Sequence, residues 1–417
     1  REDIKMCENE RVIFLAGIGM GTGRTLTGEV RQAVGESDCL IGAERMVQAV
    51  RDLAPEEAEI LMEYDPVKIR LWLEAHPSLR SVTVLLSGDT GFYSGARKLK
   101  EELGRLPSCR VTLLPGISSV VCLAAKLGTS WEDAALISLH GKDASFIQTI
   151  SRNRKTFLLL GGKGAGEKLL SGLRDFGMTD VVLHAGRRMS YPDERITSGN
   201  ALEMDKDDLD GLCTVLAENP APDDRISPHV GDGEFLRGKV PMTKAEVRAV
   251  SIAALGLTRN AVVYDVGAGT GSVSVEAALS GENIRVYAVE KNPETLELLE
   301  ANRRKFRTDG IRIVAGEAPE ALLGLEPPTH VFVGGSSGSL KDILRIVREK
   351  NPDVRIVINA ISLETLREAM EAEEEGLLPD AEVTQIAASR ARKLGRYHMM
   401  TGLNPVYIIS AGGRRAL

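Results

Sequence analysis

Two stretches of this chain could cradle a nucleotide. In "YDVGAGTGSVSVE", Tyr264 to Glu276, an apolar run enters a glycine turn that opens a helix, so free N–H groups at the helix start can face an anion. Gly267 and Gly269 are followed by Ser272 where the third glycine of the dinucleotide fingerprint would fall, and Gly271 comes one residue earlier. The resulting G-x-G-x-G, with Ala268 and Thr270 between the glycines, lacks the residue that packs helix to strand under a nicotinamide dinucleotide. It favours S-adenosylmethionine, whose carboxylate can still use the free N–H groups. Glu290 in "RVYAVEKN" ends the next strand and is placed to accept from both ribose hydroxyls; its structural alternative is to cap the helix starting near Asn292. In "VAGEAPEAL" Glu317 and Ala318 fall where an adenine edge would lie, and "VFVGGSSGSL" ends a further strand in Gly334 and Gly335, which permit close approach.

The second stretch, "VIFLAGIGMGTGRTLT" from Val12 to Thr27, carries Gly17, Gly19, Gly21 and Gly23 after a strand. No acidic residue follows the next strand, "DCLIG", so an ordinary ribose contact is missing and a plain turn is the alternative. Other strand ends supply more. "LLSGDTGFYSGA" offers Gly88, Asp89, Gly91 and Tyr93; "LLPGISSVVCLAA" offers Pro115, Gly116, Ser118 and Ser119; "ISLHGKD" offers His140 and Gly141. Such ends form a crevice that binds through backbone amides.

Strand runs at Ala261–Val266, Arg285–Val289, Ile311–Val314, His330–Val333 and Val354–Asn359 alternate with helical patterns, giving a parallel, doubly wound sheet. "AEVTQIAAS" and "NPVYIIS" follow with only a loop between them, making seven strands with the last antiparallel, the Rossmann-like arrangement of class I methyltransferases. Upstream, strands near Val12–Ala16, Cys39–Ile41, Val82–Leu86, Arg110–Leu114, Leu136–Leu139, Phe157–Leu160, Val181–Leu183 and Cys213–Leu216 are too many for one unit and are divided into two α/β lobes near Pro115. The expected organisation is residues 1–217 in two lobes, an aperiodic linker over 218–238, and a third α/β domain over 239–417. Before that domain, Thr243 and Glu246 in "MTKAEVRAVSIAALG" form a T-x-x-E capping box, so Thr243 is expected as helix N-cap and as a cofactor contact.

A formal charge of −7 and 4% aromatics oppose a nucleic-acid partner. No apolar run approaches the roughly 18 residues of a membrane span, and a cytoplasmic protein is expected. The cysteines Cys7, Cys39, Cys109, Cys122 and Cys213 are scattered without a C-x-x-C pair, which points to reduced thiols in the core and no metal site.

These motifs resemble two families. The first half is similar to the tetrapyrrole methylases of cobalamin synthesis through "GIGMGTGRTLT", "SGDTGFYSGA", "PGISSV" and "SLHG"; Met20 and Thr90 stand where many relatives have proline. The second half resembles the precorrin decarboxylating methylases through "MTKAEVRA", "DVGAGTGSVSVEAA", "AVEKNPE", "GEAPEAL", "FVGG" and "NPVYII". The resemblance implies two S-adenosylmethionine-dependent methylations of a precorrin or cobalt-precorrin, at carbons 5 and 15, with loss of carbon dioxide from the ring C acetate. It implies one cofactor per domain: Thr243, Gly267 to Gly271, Glu290 and Ala318 in the second half, and Gly17, Gly19, Gly21, Gly88, Asp89, Ser118 and Ser119 in the first. A homo-oligomer is expected.

Methyl transfer to a nucleophilic ring carbon needs positioning and exclusion of water more than acid or base, so no indispensable triad is expected. A polyanionic substrate does need cations. Candidates are Lys244 and Arg248 on the capped helix, Arg390, Arg392, Lys393 and Arg396 in "SRARKLGRYHMM", and Arg187 and Arg188 in "HAGRRMSYPDER", each with a solvated face as alternative. Tyr93 is a further substrate candidate, and His140 and His398 are possible proton donors or merely structural groups. The competing function is an RNA or protein methyltransferase whose first half is a recognition module.

Overall fold

The computed structural model describes residues 10–139 and 145–413. Cys7, His140, Gly141 and the polar start of the chain lie outside them. Two compact units emerge, one of Arg1–Lys142, Arg154–Ser171 and Thr179–Pro220, the other of Asp143–Asn153, Gly172–Met178 and Ala221–Leu417.

The first unit holds two sheets. Strands β1 (Arg11–Gly17), β2 (Cys39–Ile41), β3 (Glu59–Leu61), β4 (Ser81–Leu86) and β5 (Cys109–Leu114) pair in parallel in the order β3-β2-β4-β1-β5. Strands β6 (Ala135–Ser138), β7 (Lys155–Leu160), β8 (Val182–Arg187), β9 (Arg195–Asn200) and β10 (Cys213–Glu218) form a mixed sheet in the order β6-β7-β10-β8-β9. The first sheet thus ends at Leu114, beside the Pro115 turn. Two strands, β3 and β9, have no counterpart in the sequence reading: β3 is three residues long at a sheet edge, and β9, "RITSGN", is largely polar.

The second unit is built on β11 (Val262–Val266), β12 (Arg285–Glu290), β13 (Ile311–Ala315), β14 (His330–Val333), β15 (Arg355–Ala360), β16 (Glu382–Ile386) and, after a ribbon of β17 (Ser389–Leu394) and β18 (Tyr397–Gly402), β19 (Val406–Ala411). The order is β13-β12-β11-β14-β15-β19-β16, and β19 runs antiparallel between β15 and β16. This is the seven-stranded class I methyltransferase sheet. Its central strands are buried on both faces, Tyr264 and Val266 in one core layer and Val263 in the other, which is why they appear in the sequence as unbroken apolar runs. The loop expected between the last two strands is instead the ribbon β17–β18, paired from Ser389–Gly402 to Leu394–Tyr397 and almost wholly exposed.

Two local expectations change. The helix Ala245–Leu255 takes Lys244 as N-cap with no side-chain cap, so the Thr243 capping box does not form; Glu246 bonds Arg390 instead. Of the stretch 218–238, Glu218 still belongs to β10 and the rest lacks helices and strands apart from a short turn, but Val230 and Phe235 are core residues of the second unit. Glu276 accepts from Val230 N at 2.9 Å, and Asn302 clamps the Leu236 backbone through both ends of its amide. Buried backbone must find partners, and these two polar side chains supply them.

Candidate active sites

The chain winds outward in opposite directions from β11 and β14, and the crevice between their carboxyl ends is where doubly wound sheets take ligands. A cavity of about 790 Å³ opens there, within the range of small-molecule sites. Gly267, Ala268, Gly269 and Thr270 line it from the β11 turn, Glu290 from β12, Glu317 and Ala318 from the β13 end, Gly334 from β14, and Thr243 and Lys244 from the approach to the helix Ala245–Leu255. Gly271 does not line it but caps the following helix at φ +76. Gly269 sits at φ +54, where a non-glycine residue is strained, and a Cβ there would meet only Pro241 O at 3.6 Å, so the space over the turn is open.

Glu290 holds the cradle together. Its Oε2 accepts from Gly269 N at 3.0 Å and its Oε1 from Lys291 N and Asn292 N at 2.9 Å. The cap of the next helix is Asn292 itself, bonded to Glu294 N, so the carboxylate is not needed for that role. Lys291 pairs with Glu317 at 2.5 Å. Lys244 forms no ion pair among the described residues.

Asp265 lies beneath the turn, fully buried. Desolvation pushes its carboxyl up to about 6, opposed by the Ser274 hydrogen bonds and reinforced by the Glu290 charge. Its Oδ1, like Thr270 Oγ1, has no partner among the described residues. A buried acceptor facing a glycine cradle fits the ammonium and carboxylate ends of an amino-acid cofactor such as S-adenosylmethionine.

Arg248, expected at the substrate, does not reach the cavity. It is completely buried, with Nε on Glu276 at 2.6 Å, Nη1 on Asp232 at 3.2 Å and the Thr243 carbonyl at 2.6 Å, and Nη2 on the Val230 carbonyl. It stacks over Phe235 and fastens the 230–243 segment to the helices Ala245–Leu255 and Ser272–Leu279. Arg396 is also outside the lining, in the turn of the ribbon, where it bonds Tyr397 Oη at 2.8 Å. Arg390 is committed to Glu246 and Asp232, and His398 is exposed opposite Lys393.

The second cavity, about 320 Å³, lies within the first unit. Gly88, Asp89, Tyr93, Ser118 and Ser119 line it; Gly17, Gly19 and Gly21 do not, although Met20 between them does. Those glycines serve turn packing. Gly19 and Gly88 exchange backbone hydrogen bonds at 3.1 and 2.8 Å, and a Cβ on Gly17 would stand 2.7 Å from Gly88 O. Asp89 ties the turns together, accepting from Gly91 N at 2.8 Å and Gly116 N at 3.1 Å. Ser118 is the N-cap of Ser119–Leu127, bonded to Val121 N. Tyr93 donates to the Leu136 carbonyl at 3.2 Å. Arg188 reaches this cavity with Asp193 as partner, whereas Arg187 bonds the Asp207 carbonyl outside it.

Sequence reasoning missed Arg45, Tyr191, Gly161 and Gly162 here and Asn359 and Asn404 in the larger cavity. "LLLGG" after β7 repeats the strand-end glycine pair of "VFVGG", a usable signal; the asparagines carried none. His184, between Ser198 at 2.7 Å and Glu218 at 3.2 Å, has the composition of a triad but lines neither cavity. Cys39 and Cys213 are pushed up to about 12 by burial, so neither is a ready nucleophile. Among the described residues no cluster could hold a metal, and no helix is long and apolar enough to cross a membrane.

The chain is similar to known proteins in both halves. The family model of the precorrin methyltransferase domain matches residues 234–411, and that of the tetrapyrrole (corrin/porphyrin) methylases matches residues 12–205. The probable cobalt-precorrin-6B C(15)-methyltransferase (decarboxylating) of Pyrobaculum calidifontis is 48% identical over 189 residues, 44% of this chain and 96% of the relative. The precorrin-6Y C(5,15)-methyltransferase [decarboxylating] of Sinorhizobium sp is 28% identical over 361 residues, 84% of each chain. A crystal structure of precorrin-6Y C5,15-methyltransferase from Geobacter metallireducens shares 38% identity, covering 44% of this chain and 97% of that one at a TM-score of 0.42. With a decarboxylating relative matched over almost its whole length and both family models in sequence, the chain belongs to the precorrin methyltransferases of cobalamin biosynthesis, a tetrapyrrole methylase domain preceding the decarboxylating one.

Proposed function

We propose that this chain methylates a precorrin twice, at carbon 5 through the first unit and at carbon 15 through the second, the second unit also removing the ring C acetate carboxylate. The observation that carries the reading is the glycine cradle at the β11/β14 crevice with Glu290 and the unpartnered Asp265 oxygen around it. Bound S-adenosylmethionine would supply the methyl group as an electrophilic sulfonium substituent. The residues' part is positional: Gly269 and its neighbours leave room and N–H groups for the carboxylate, Asp265 accepts from the ammonium, and Glu290 trades backbone donors for ribose hydroxyls. Lys244 at the mouth attracts a substrate carboxylate. In the first unit Gly88, Ser119, Gly161 and Gly162 present backbone to a second cofactor, and Tyr93, Arg45 and Arg188 face the macrocycle.

Calorimetric titration with S-adenosylhomocysteine tests the count. Wild type is expected to show two sites. Glu290→Ala removes the site in the second unit, and Gly162→Arg, at a position where a Cβ meets nothing within 4 Å, blocks the one in the first. Gly162 at φ +83 and Gly19 at φ +63 both strain under a side chain, but only the Gly19 Cβ would also strike Thr25 Oγ1 at 2.6 Å, and a melting curve of Gly162→Arg checks that the unit still folds. A single site lost only in Glu290→Ala would refute one cofactor per domain.

A further inference from the structure

Strand β15 reads "RIVINA", and its one polar interior residue, Asn359, is 6% exposed. Ser251 Oγ has one proton and two acceptors in reach, the Val247 carbonyl at 2.8 Å and Asn359 Oδ1 at 3.0 Å; sharing it between them turns the amide nitrogen away from the helix Ala245–Leu255. That nitrogen has no partner among the described residues, and Asn359 lines the larger cavity. A buried N–H group left unpaired is costly enough that native proteins seldom keep one without a use.

Register tells which part of the cavity it faces. Phe332 pairs with Val357 and Asn359 with Ile408, so Asn359 shares the sheet face of Val357, among apolar neighbours. Strand β15 is two places from β11, about 10 Å at the usual spacing of strands. The amide therefore lies to one side of the glycine cradle, in a cavity whose lining also includes Ile361, Ile386 and Asn404.

We propose that Asn359 is a substrate-binding residue whose Nδ2 donates to the carboxylate that leaves as carbon dioxide, an inference that rests on the decarboxylating function proposed above. An uncharged donor is the right partner for that group. A lysine or arginine would stabilise the carboxylate more before reaction than in the transition state, where its charge is leaving, whereas an amide in an apolar wall orients it with less of that penalty. The bond between the acetate methylene and its carboxyl carbon breaks, and its electron pair passes into the conjugated imine of the macrocycle. Carbon dioxide departs, and one proton from water turns the methylene into a methyl group.

The test uses the full chain with Asn359→Leu, which keeps the branched shape in a somewhat larger side chain without donors, and Asn359→Asp, which sets one carboxylate against another. S-adenosylhomocysteine affinity is expected to stay within about two-fold of wild type in both, which also reports folding of the cavity. Carbon dioxide released per methyl group transferred at carbon 15 should fall about ten-fold or more in Asn359→Leu and further in Asn359→Asp. Release unchanged within about three-fold in Asn359→Leu, or cofactor affinity lost in parallel with activity, would overturn the assignment. If wild type itself frees no carbon dioxide from a precorrin, the function fails instead, and that is visible before any variant is compared.

Discussion

At the residue scale, Asp265 is a carboxyl taken wholly out of water. Its ordinary value of 3.8 rises to about 6 in the fold, so between these values the folded state binds a proton that the unfolded state has lost. Stability contributed by the neutral form is present at pH 4 and is lost as pH rises through 6; above that the ionised group carries a cost of roughly 3 kcal/mol. Asp265→Asn should therefore raise the melting temperature relative to wild type at pH 7.5, with the advantage vanishing near pH 4, while weakening S-adenosylhomocysteine binding. Equal melting shifts at both pH values would contradict the burial argument. Arg248 makes the opposite case. Replacing it with Met takes the guanidinium partner from the Glu276 carboxylate, itself 1% exposed and left with the Val230 N–H and His229, and should cost about 3 kcal/mol in denaturant titrations. Full stability in Arg248→Met would return the arginine to the list of substrate contacts.

At the element scale, the ribbon β17–β18 is tied down at its base. Arg390 bonds Glu246 on the helix Ala245–Leu255 at 2.7 and 2.5 Å and Asp232 at 2.8 Å, and the Glu246 carboxyl is held down to about 2, chiefly by that arginine. The pairing favours folding above pH 4.5 and is lost only as pH falls toward 2, so the tether should be constant between pH 5 and 9. Ala388, Gly402, Leu403 and Asn404 beside it line the larger cavity. Arg390→Ala should then raise KM for the tetrapyrrole several-fold with little change in S-adenosylhomocysteine affinity, and salt should narrow the difference because the pair is half-exposed. A variant with unchanged KM would detach the ribbon from substrate binding. The same elements show what the sequence could and could not convey. The seven sheet strands were legible because burial on both faces demands continuous apolar runs, and the cradle because glycines must stand where backbone turns left-handed. The ribbon was not, since its strands rest on no core and carry no alternation. Nor was the fate of Arg248: a positive charge in a sequence looks the same whether it meets solvent or a buried glutamate. Asn359 escaped notice because one asparagine at a strand end is common, and only its missing partner distinguishes it.

At the scale of the whole molecule, two cavities on one chain predict two separable chemistries. Glu290→Ala should yield product methylated only at carbon 5, and Gly162→Arg product methylated only at carbon 15, as mass spectrometry of labelled products would reveal. Loss of both methyl groups in either variant would mean that the two reactions are coupled. Cysteine chemistry among the described residues should be quiet: Cys39, Cys109, Cys122 and Cys213 are all free, and burial raises each thiol above its ordinary range. Melting should accordingly be insensitive to reductant.

The antiparallel strand β19 has a consequence for synthesis. It is the last of its sheet to emerge from the ribosome, yet it occupies an interior place between β15 and β16. Until Val406–Ala411 has been translated, β15 ends in an open row of hydrogen-bonding groups and β16 has nothing to pair with. The first parallel sheet, complete by Leu114, can close while the rest is still being made, but the second must wait, exposing a long apolar edge to chaperones or to aggregation throughout that interval.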